Sequence, residues 1–361
     1  MPIEKDNMAP VTVFKGTKDG IAKKHTTTKP ADLKGDYVLV RVTASGVCGT
    51  GTSLPEPPIS SQPLISLPDL HYKTQDMVLG HEGAGVVEAV GPAVKYLKPG
   101  TRVGWGYETD SCEHCQECLQ GAEVFCPDRA LYGNKNLDQG SFSSHAVVRE
   151  AFLHVTPDAI NDVHAAPLQC GGATVFSALL EAKPGETVGI MGVGGLGHLA
   201  IQFAAKMGLH VVVLSGTDSK QAQAMELGAH KFIAMKGPNA AKEIEELGKT
   251  SPLSRLLVTM AVQPAWDLIL QMMAPRARIY PLSVAAGNLE FPYMPIILSG
   301  IRIQGSLVAT RAVHRDMLAF AARHGIRPVV ETFPMTEAGI KEAMDKLDRG
   351  NVQFRAVLVP Q

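Results

Sequence analysis

The chain has 361 residues, of which 45% are hydrophobic and 19% are charged. This length and composition predict about two globular domains and exclude an intrinsically disordered protein. Lys and Arg number 34 against 35 Asp and Glu, so the formal net charge is -1. An even balance gives no electrostatic reason to expect nucleic acid or an anionic membrane as a partner.

No targeting signal is expected from the sequence. The first ten residues, MPIEKDNMAP, lack the apolar core of a signal peptide. The longest apolar stretch, 187–205, contains five glycines together with His198 and Gln202. That stretch fits a strand, a turn and the start of a helix better than a membrane span. We therefore expect a soluble protein of the cytoplasm.

The first part of the chain is predicted to be rich in strands. Residues 38–43 alternate in polarity, and further strands are expected at 83–90 and 102–105. Short strands at this density favour a barrel-like domain. Residues 53–76 are rich in Pro and Ser without a sustained period, which indicates a long loop.

From about residue 165 the chain alternates between strands and helices. Such alternation builds βαβ units around a parallel sheet. The predicted strands are 187–191, 211–214, 232–233, 256–262, 278–282 and 301–305, and the predicted helices are 175–182, 198–207 and 222–227. An amphipathic helix at 336–349 and a strand at 355–359 follow.

Four of the six cysteines form one motif, C-x2-C-x2-C-x7-C. Its members are Cys112, Cys115, Cys118 and Cys126. Four thiolates this close in sequence can surround one tetrahedral zinc ion. An iron–sulfur cluster is the competing interpretation, although ferredoxin motifs continue as C-x3-C-P. Disulfides or free thiols are the remaining alternatives. We interpret His114, inside the motif, as a solvated loop histidine.

The other two cysteines, Cys48 and Cys170, lie far apart in sequence among small residues. Each alone is typical of a buried core thiol. Between them lie His81 and Glu82, flanked by glycines. Cys, His and Cys around one ion, with a fourth position open, form a catalytic zinc arrangement.

A glycine motif follows the predicted strand 187–191. Gly192, Gly194 and Gly197 match G-x-G-x-x-G, and the motif opens a helix, as a dinucleotide site requires. The first glycine allows a tight turn, the second lets the backbone approach the pyrophosphate, and the third lets helix and strand pack closely. The helix N-terminus faces the negative charge of the cofactor.

The end of the next strand predicts which dinucleotide binds. An NAD site places an acid there to hold the ribose 2′-hydroxyl. This strand ends at Leu214 and continues with Ser215, Gly216 and Thr217, and Lys220 is close enough in sequence to meet a 2′-phosphate. An ordinary loop that caps a helix, or NAD binding through Asp218, are the alternatives. The sequence favours NADP(H).

These motifs occur in an order that resembles the zinc-dependent medium-chain alcohol dehydrogenases. Within that family the closest resemblance is to the cinnamyl-alcohol-dehydrogenase-like, NADP-preferring branch, suggested by residues 215–220. The resemblance runs from about residue 38 to the C-terminus. It implies an α/β fold with two domains. One is a GroES-like β-rich catalytic domain, 1–163 and 310–361, and the other is a Rossmann doubly wound parallel-sheet cofactor domain, 164–309.

The resemblance also implies two Zn²⁺ ions per chain. Cys48, His81 and Cys170 would bind the catalytic ion, with Glu82 as a nearby or exchanging ligand, and the four-cysteine motif would bind the structural ion. Thr50 would hydrogen-bond the metal-bound oxygen. The implied cofactor contacts are Thr50, Thr174, Gly192, Val193, Gly194, Gly195, Leu196, Gly197, Ser215, Gly216, Thr217, Lys220, Thr259, Ser306, Leu307 and Val308.

Two residues depart from the family pattern. Gly51 stands where members usually carry an Asp that supports the zinc histidine, and Ser53 stands where many carry a histidine of the proton relay. Loss of such a supporting group can cost about 10–100-fold in metal affinity or activity. The 53–76 loop is also longer than the family pattern leads us to expect. Ser53 or water would then take the proton from Thr50.

We hypothesise reversible reduction of aromatic or allylic aldehydes to primary alcohols. The rivals are an NAD-linked polyol dehydrogenase, a 1,4-reductase of conjugated or iminium substrates, and a catalytically silent NADPH-binding or redox-responsive protein. The partners expected are a small-molecule alcohol or aldehyde and a second copy of the chain. The candidate homodimer interface is the sheet edge near 296–305.

Overall fold

The structure, a computed structural model, describes residues 8–17, 22–30, 32–48, 77–135, 137–284 and 288–361. The chain divides into two compact units. Unit 1 comprises Met1–Cys170 and Thr310–Gln361, and unit 2 comprises Gly171–Ala309. The first boundary therefore lies seven residues after the one predicted from the sequence, which follows residue 163.

Unit 1 is built mainly from antiparallel strands. Numbered along the whole chain, its described strands are β1 Met8–Gly16, β2 Ala22–Pro30, β3 Tyr37–Val47, β4 Gly83–Val90, β5 Arg102–Trp105, β6 Glu108–Asp110, β7 Ala130–Leu131, β8 His145–Arg149, β9 His154–Val155, β16 Val330–Pro334 and β17 Arg355–Val359. Its helices are α1 Gln116–Leu119, α2 Asp162–Pro167, α9 Arg311–His324 and α10 Glu337–Asp348. The 3-10 turns Glu123–Phe125 and Glu150–Phe152 lie between them.

The main sheet of unit 1 has the order β16-β17-β3-β4-β5-β9 among the described strands. Strand β3 pairs antiparallel with β4 along its length, with β8 along its first half, and with β17 at its end. Val38, Val40 and Val42 alternate into the core of this unit, where Trp105 is also buried. The alternation of β3 therefore sets which of its residues face the core.

Unit 2 is a parallel sheet with helices. Its described strands are β10 Thr187–Met191, β11 His210–Ser215, β12 Lys231–Ala234, β13 Leu253–Val258, β14 Met273–Pro281 and β15 Arg302–Ile303. Its helices are α3 Ala173–Leu179, α4 Gly197–Lys206, α5 Gln221–Glu226, α6 Ala240–Thr250, α7 Trp266–Ile269 and α8 Tyr293–Ser299, with a 3-10 turn at Leu270–Met272.

The order of the described strands in unit 2 is β12-β11-β10-β13-β14-β15, and each neighbouring pair is parallel. Counted from β10, this is the order 3-2-1-4-5-6 of a Rossmann fold. All five residues of β10 are buried, as expected for a central parallel strand covered on both faces. The predicted fold class, a β-rich domain plus a doubly wound parallel sheet, is confirmed.

Two predicted strands were too long. The strand expected at 256–262 ends at Val258, and Val262 is 67% exposed. The strand expected at 301–305 spans only Arg302–Ile303 at the sheet edge. After Val258 the residues Met260, Ala261 and Val262 are still apolar, so hydrophobicity alone does not mark the last paired residue. The predicted 53–76 loop lies outside the described residues.

In the part of the chain that the structure describes, no helix combines the length and apolar character needed to cross a bilayer.

Candidate metal centres and dinucleotide site

Four potential metal ligands converge in unit 1. Cys48 directly follows β3, and His81 and Glu82 directly precede β4. Because β3 and β4 are antiparallel, the end of one strand meets the start of the other. Cys170 lies in a π-helical turn, Leu168–Gly172, a rare element that occurs often at functional sites. One donor atom from each of the four residues lies within 4.8 Å of all the others.

The two thiols of this group share a hydrogen bond. That bond from Cys170 lowers the pKa of Cys48 well below its ordinary value, against the opposing effect of burial, and His81 adds to the lowering. The same bond and burial raise the pKa of Cys170. Cys48 is therefore the more acidic of the two thiols, and an anionic sulfur is what a metal requires.

Glu82 is fully buried, and burial raises the pKa of its carboxyl group to about 7 even though Arg355 opposes the rise. Arg355 on β17 donates to Oε1 of Glu82. The second oxygen, Oε2, is buried without a hydrogen-bond partner among the described residues. A Cβ on Gly46 would lie 1.8 Å from Oε2, so glycine is required beside it.

These four residues fit a zinc ion. Sulfur, imidazole and carboxylate are the donors that zinc prefers, and three protein ligands with one open or exchangeable position are typical of catalytic zinc. The buried Oε2 of Glu82 would gain a partner if a cation bound here. Arg355 was not among the predicted site residues. A charged residue at the head of the apolar strand RAVLV was the available signal.

The second group of ligands is the four-cysteine motif of unit 1. The sulfur atoms of Cys112, Cys115, Cys118 and Cys126 all lie within 4.8 Å of one another. Backbone N–H groups of Cys115 and Asp128 donate to these sulfurs over 3.3 Å, which stabilises thiolates. The backbone N–H of His114 lowers the pKa of Cys112 to about 7.

The geometry fits a tetrahedral S4 site. All six cysteines, which are all among the described residues, are unbridged. The ring of His114 is exposed and its Nδ1 lies 2.6 Å from the carbonyl oxygen of Cys112.

The glycine turn of unit 2 connects β10 to α4. Gly192 has φ +99°, a conformation that favours glycine. A Cβ on Gly197 would lie 2.0 Å from the carbonyl oxygen of Gly192, so this helix start requires glycine. A Cβ on Gly194 would meet no atom within 4 Å. The missing side chain of Gly194 therefore leaves open space beside the helix N-terminus, as a bound pyrophosphate needs.

Two side chains hold the turn from neighbouring segments. Thr259, after β13, donates to the carbonyl oxygens of Met191 and Gly192 over 2.8 and 3.3 Å. Lys220 Nζ donates to the carbonyl oxygen of Val193 over 2.9 Å. The side chain of Lys220, which follows β11 in sequence, therefore contacts the glycine turn. Its ammonium group lies beside the candidate phosphate site.

The other predicted cofactor residues in unit 2 lie at the end of β11 and after it, at the start of α4, in α3 and after β15. Ser215 ends β11, and Gly216 and Thr217 are exposed after it, with the hydroxyl groups of Thr217 and Ser219 2.9 Å apart. Gly195 and Leu196 complete the turn into α4. Thr174 is buried in α3, and Ser306, Leu307 and Val308 are half-buried after β15. Thr50, Gly51 and Ser53 lie outside the described residues.

A parallel-sheet dinucleotide fold in the same chain as a Cys-His-Glu-Cys metal group defines a metal-dependent oxidoreductase of the medium-chain type. Residues 34–158 match the family model of the alcohol dehydrogenase GroES-like domain, and residues 195–323 match that of the zinc-binding dehydrogenases.

Known proteins resemble the chain over most of its length. An alcohol dehydrogenase of Geobacillus stearothermophilus is 33% identical over 89% of this chain and 91% of its own. A probable cinnamyl alcohol dehydrogenase 8A of rice, Oryza sativa subsp. japonica, is 33% identical over 90% and 88%. The solved structure of a cinnamyl alcohol dehydrogenase of Sorghum bicolor has a TM-score of 0.84 and 28% identity over 97% and 98%.

The chain therefore belongs to the zinc-dependent medium-chain alcohol dehydrogenase family, in its cinnamyl-alcohol-dehydrogenase-like branch. It is an oxidoreductase of that family.

Proposed function

We propose that this protein transfers hydride between NADP(H) and an alcohol/aldehyde pair, and that it reduces aromatic or allylic aldehydes to primary alcohols. The observation that carries the proposal is the convergence of donor atoms from Cys48, His81, Glu82 and Cys170 within 4.8 Å, in a chain that also forms a Rossmann glycine turn. A hydrolytic metal site would have no use for that turn.

The chain would hold two zinc ions, one in each ligand group. Bound in the first group, zinc supplies Lewis-acid polarisation of a carbonyl oxygen, and a nicotinamide supplies the hydride. Cys48, His81 and Cys170 would hold the metal, and Arg355 keeps a positive charge against Glu82. We propose that Thr50 passes the proton, with Ser53 or water in place of a relay histidine. The S4 geometry and the family both favour zinc over an iron–sulfur cluster in the second group.

NADP(H) is proposed over NAD(H) on the residues after β11. Leu214 and Ser215 end that strand without an acid at its tip, which removes the usual partner of a ribose 2′-hydroxyl. Lys220 reaches the glycine turn instead, through its bond to Val193. A lysine there provides a positive charge for a 2′-phosphate.

The substrate class is proposed from the relatives. The rice relative is named a cinnamyl alcohol dehydrogenase, and a protein of Synechocystis that is 31% identical over 91% of this chain is named an aldehyde reductase. Neither name refers to this chain. They support an aldehyde substrate with an aromatic or allylic group.

A homodimer is proposed through the edge of the unit 2 sheet. Strand β15 ends the sheet, and α8 beside it in sequence exposes Tyr293, Ile297 and Leu298 by 83%, 65% and 77%. An edge strand among the described strands and exposed apolar side chains nearby in sequence favour pairing with another copy. A cytoplasmic location is proposed with it, because the thiolates of both zinc sites need a reducing compartment.

The test combines metal content with turnover. Protein purified without chelator is expected to contain two zinc ions per chain and to oxidise NADPH in the presence of a conjugated aromatic aldehyde, forming the allylic alcohol. Cys48→Ser should lose one zinc ion and the turnover, whereas His114→Gln should keep both.

Other outcomes would replace the proposal. A saturated aldehyde as product would show a 1,4-reductase. Turnover of polyols with NADH would show a polyol dehydrogenase. NADPH binding with one zinc ion and without turnover across a broad aldehyde panel would show a silent binding protein.

A further inference from the structure

Gly80, the residue before His81, is packed and hydrogen-bonded tightly. Gly80 has φ +91°, and a Cβ there would lie 2.4 Å from the Phe142 ring and 2.5 Å from the Ser141 hydroxyl. Both of its backbone polar groups are bonded. Its N–H donates to the Tyr132 hydroxyl over 2.8 Å, and its carbonyl oxygen accepts from the N–H of Ser141 over 2.9 Å. The residue before the histidine is thus fixed by one side chain and one backbone contact.

Tyr132 also contacts the imidazole itself. Its ring centroid lies 5.1 Å from that of His81, with a tilt of 46° between the rings. Tyr107 meets the same imidazole edge-on, with centroids 5.6 Å apart and an angle of 82°. Tyr132 is 2% exposed and His81 is 4% exposed, so these contacts are made away from water.

Tyr132 lies at the end of the two-stranded β6–β7 ribbon, which also leads into and out of the four-cysteine motif. It follows β7, which pairs with β6, and its N–H donates to the carbonyl oxygen of Tyr107 over 2.8 Å. Cys112 follows β6 and Cys126 precedes β7 in the chain. The ribbon that leads into and out of the four-cysteine motif therefore also carries the two rings that contact His81.

We propose that Tyr132 is a positioning residue that holds His81 in its metal-binding orientation, through the hydrogen bond to Gly80 and the ring contact. The inference rests on the proposed function in requiring a metal at the Cys48–His81–Glu82–Cys170 group. A histidine ligand binds tightly when its ring cannot rotate away, because the orientation is then fixed before the metal arrives. The hydroxyl fixes the backbone of the histidine segment, and the aromatic ring limits rotation of the imidazole.

The test is Tyr132→Phe, which removes the hydroxyl and keeps the ring. The affinity of the first metal group is measured with Co²⁺ in competition with a chelator, and the d–d absorption bands report the ligand geometry. We expect the Co²⁺ dissociation constant to rise by about 10–100-fold and the bands to shift. Tyr96→Phe is the matched control, because Tyr96 is 87% exposed. It should leave the dissociation constant and the bands unchanged.

A second variant and an internal reference separate positioning from misfolding. Tyr132→Leu also removes the ring and should weaken Co²⁺ binding further than Tyr132→Phe. The zinc content of the four-cysteine group, measured in the same samples, should stay at one ion per chain if the ribbon is folded. Unchanged Co²⁺ affinity and unchanged bands in Tyr132→Phe would overturn the inference and leave the proposed function standing. Loss of Co²⁺ binding at the first group in the wild-type protein would overturn both.

Discussion

The guanidinium of Arg355 donates a hydrogen bond to the carboxylate of Glu82, and the two side chains are 5% and 0% exposed. The partners are far apart in sequence and meet because β17 pairs with the end of β3, whose other neighbour is β4. The pair places one positive charge beside a group of three potential anions, Cys48, Cys170 and Glu82. Arg355 thus balances the negative charge of the metal-binding group.

We expect Arg355→Met to destabilise the protein by about 3–5 kcal/mol, because removing one partner leaves a buried carboxylate without its counter-charge. The measurement is the free energy of unfolding in urea. Arg41→Met is the control. Its ion pair with Glu88 is exposed by 49% and 38%, so its loss should cost less than about 1 kcal/mol. Equal losses in the two variants would contradict a special role for the buried pair.

Two glycines of the turn allow a paired test of whether a missing side chain makes room for the cofactor or for the protein backbone. Gly194→Ala should leave stability unchanged, because its Cβ meets no protein atom, yet it should weaken NADPH binding by filling the cradle. Gly197→Ala should lower the free energy of unfolding by about 1–3 kcal/mol, because its Cβ would press against the carbonyl oxygen of Gly192. Fluorescence titration with NADPH and urea unfolding check both. Normal NADPH affinity in Gly194→Ala would place the pyrophosphate elsewhere.

Lys220 offers a test of cofactor preference. A hydrogen bond to a charged group contributes about 1.5–3 kcal/mol, so Lys220→Met should raise the KM for NADPH by about 10–100-fold. The KM for NADH should change far less, because NADH lacks the 2′-phosphate. Lys206→Met, an exposed lysine at the end of α4, is the control. A parallel rise in both KM values would mean that Lys220 acts through its bond to Val193 alone.

Two buried histidines of unit 1 predict acid sensitivity. His154 and His314 stack with ring centroids 3.8 Å apart, and His314 Nε2 lies 2.8 Å from Oε1 of Gln169. Burial lowers the pKa of His314 to about 3 and that of His154 well below its usual value. In the unfolded chain both histidines have ordinary pKa values near 6.5, so below about pH 6.5 the unfolded chain binds more protons than the folded chain. The contribution of the two neutral histidines to the free energy of unfolding is complete above about pH 6.5 and is lost as the pH falls towards 3.

The check is urea unfolding between pH 7 and pH 4. His314→Gln keeps a donor for Gln169 and removes one titrating group, so its stability should depend less steeply on pH than that of the wild-type protein. His25→Gln, at an exposed histidine, should leave the slope as it is. An identical slope in His314→Gln would show that other groups cause the acid sensitivity.

Several strands were predictable because their local polarity pattern agrees with the structure. Strands β4, β5, β10 and β17 lie where the sequence pattern placed them, since turns and glycines bound each apolar run. The hairpin of β1 and β2 was missed. Its second strand, AKKHTTTKP, is largely polar and exposed, so no buried apolar face marks it. The helices α6 and α9 were missed too, although α9 begins with a capping Thr310.

The two groups of potential metal ligands were predictable from the sequence because metal chemistry limits the residue types and their spacing. The partners that surround the ligands were not. Arg355 and Tyr132 reach the first group through sheet pairing and a ribbon contact, and such long-range contacts leave no local pattern. Gly46 likewise lies beyond the predicted strand 38–43, and no local pattern indicates the carboxylate of Glu82 beside it.

The split of unit 1 around unit 2 has a consequence for how the metal-binding group forms during synthesis. Cys48, His81, Glu82 and Cys170 are all translated before unit 2, but Arg355 follows it. Until β17 inserts beside β3, the carboxylate of Glu82 lacks its counter-charge, and the sheet lacks the strand between β16 and β3. The nascent chain therefore carries all four potential ligands, but not the counter-charge of Arg355, through the whole translation of unit 2. A chain that ends before residue 355 would present these thiols and the carboxylate of Glu82 without the buried positive charge that balances them.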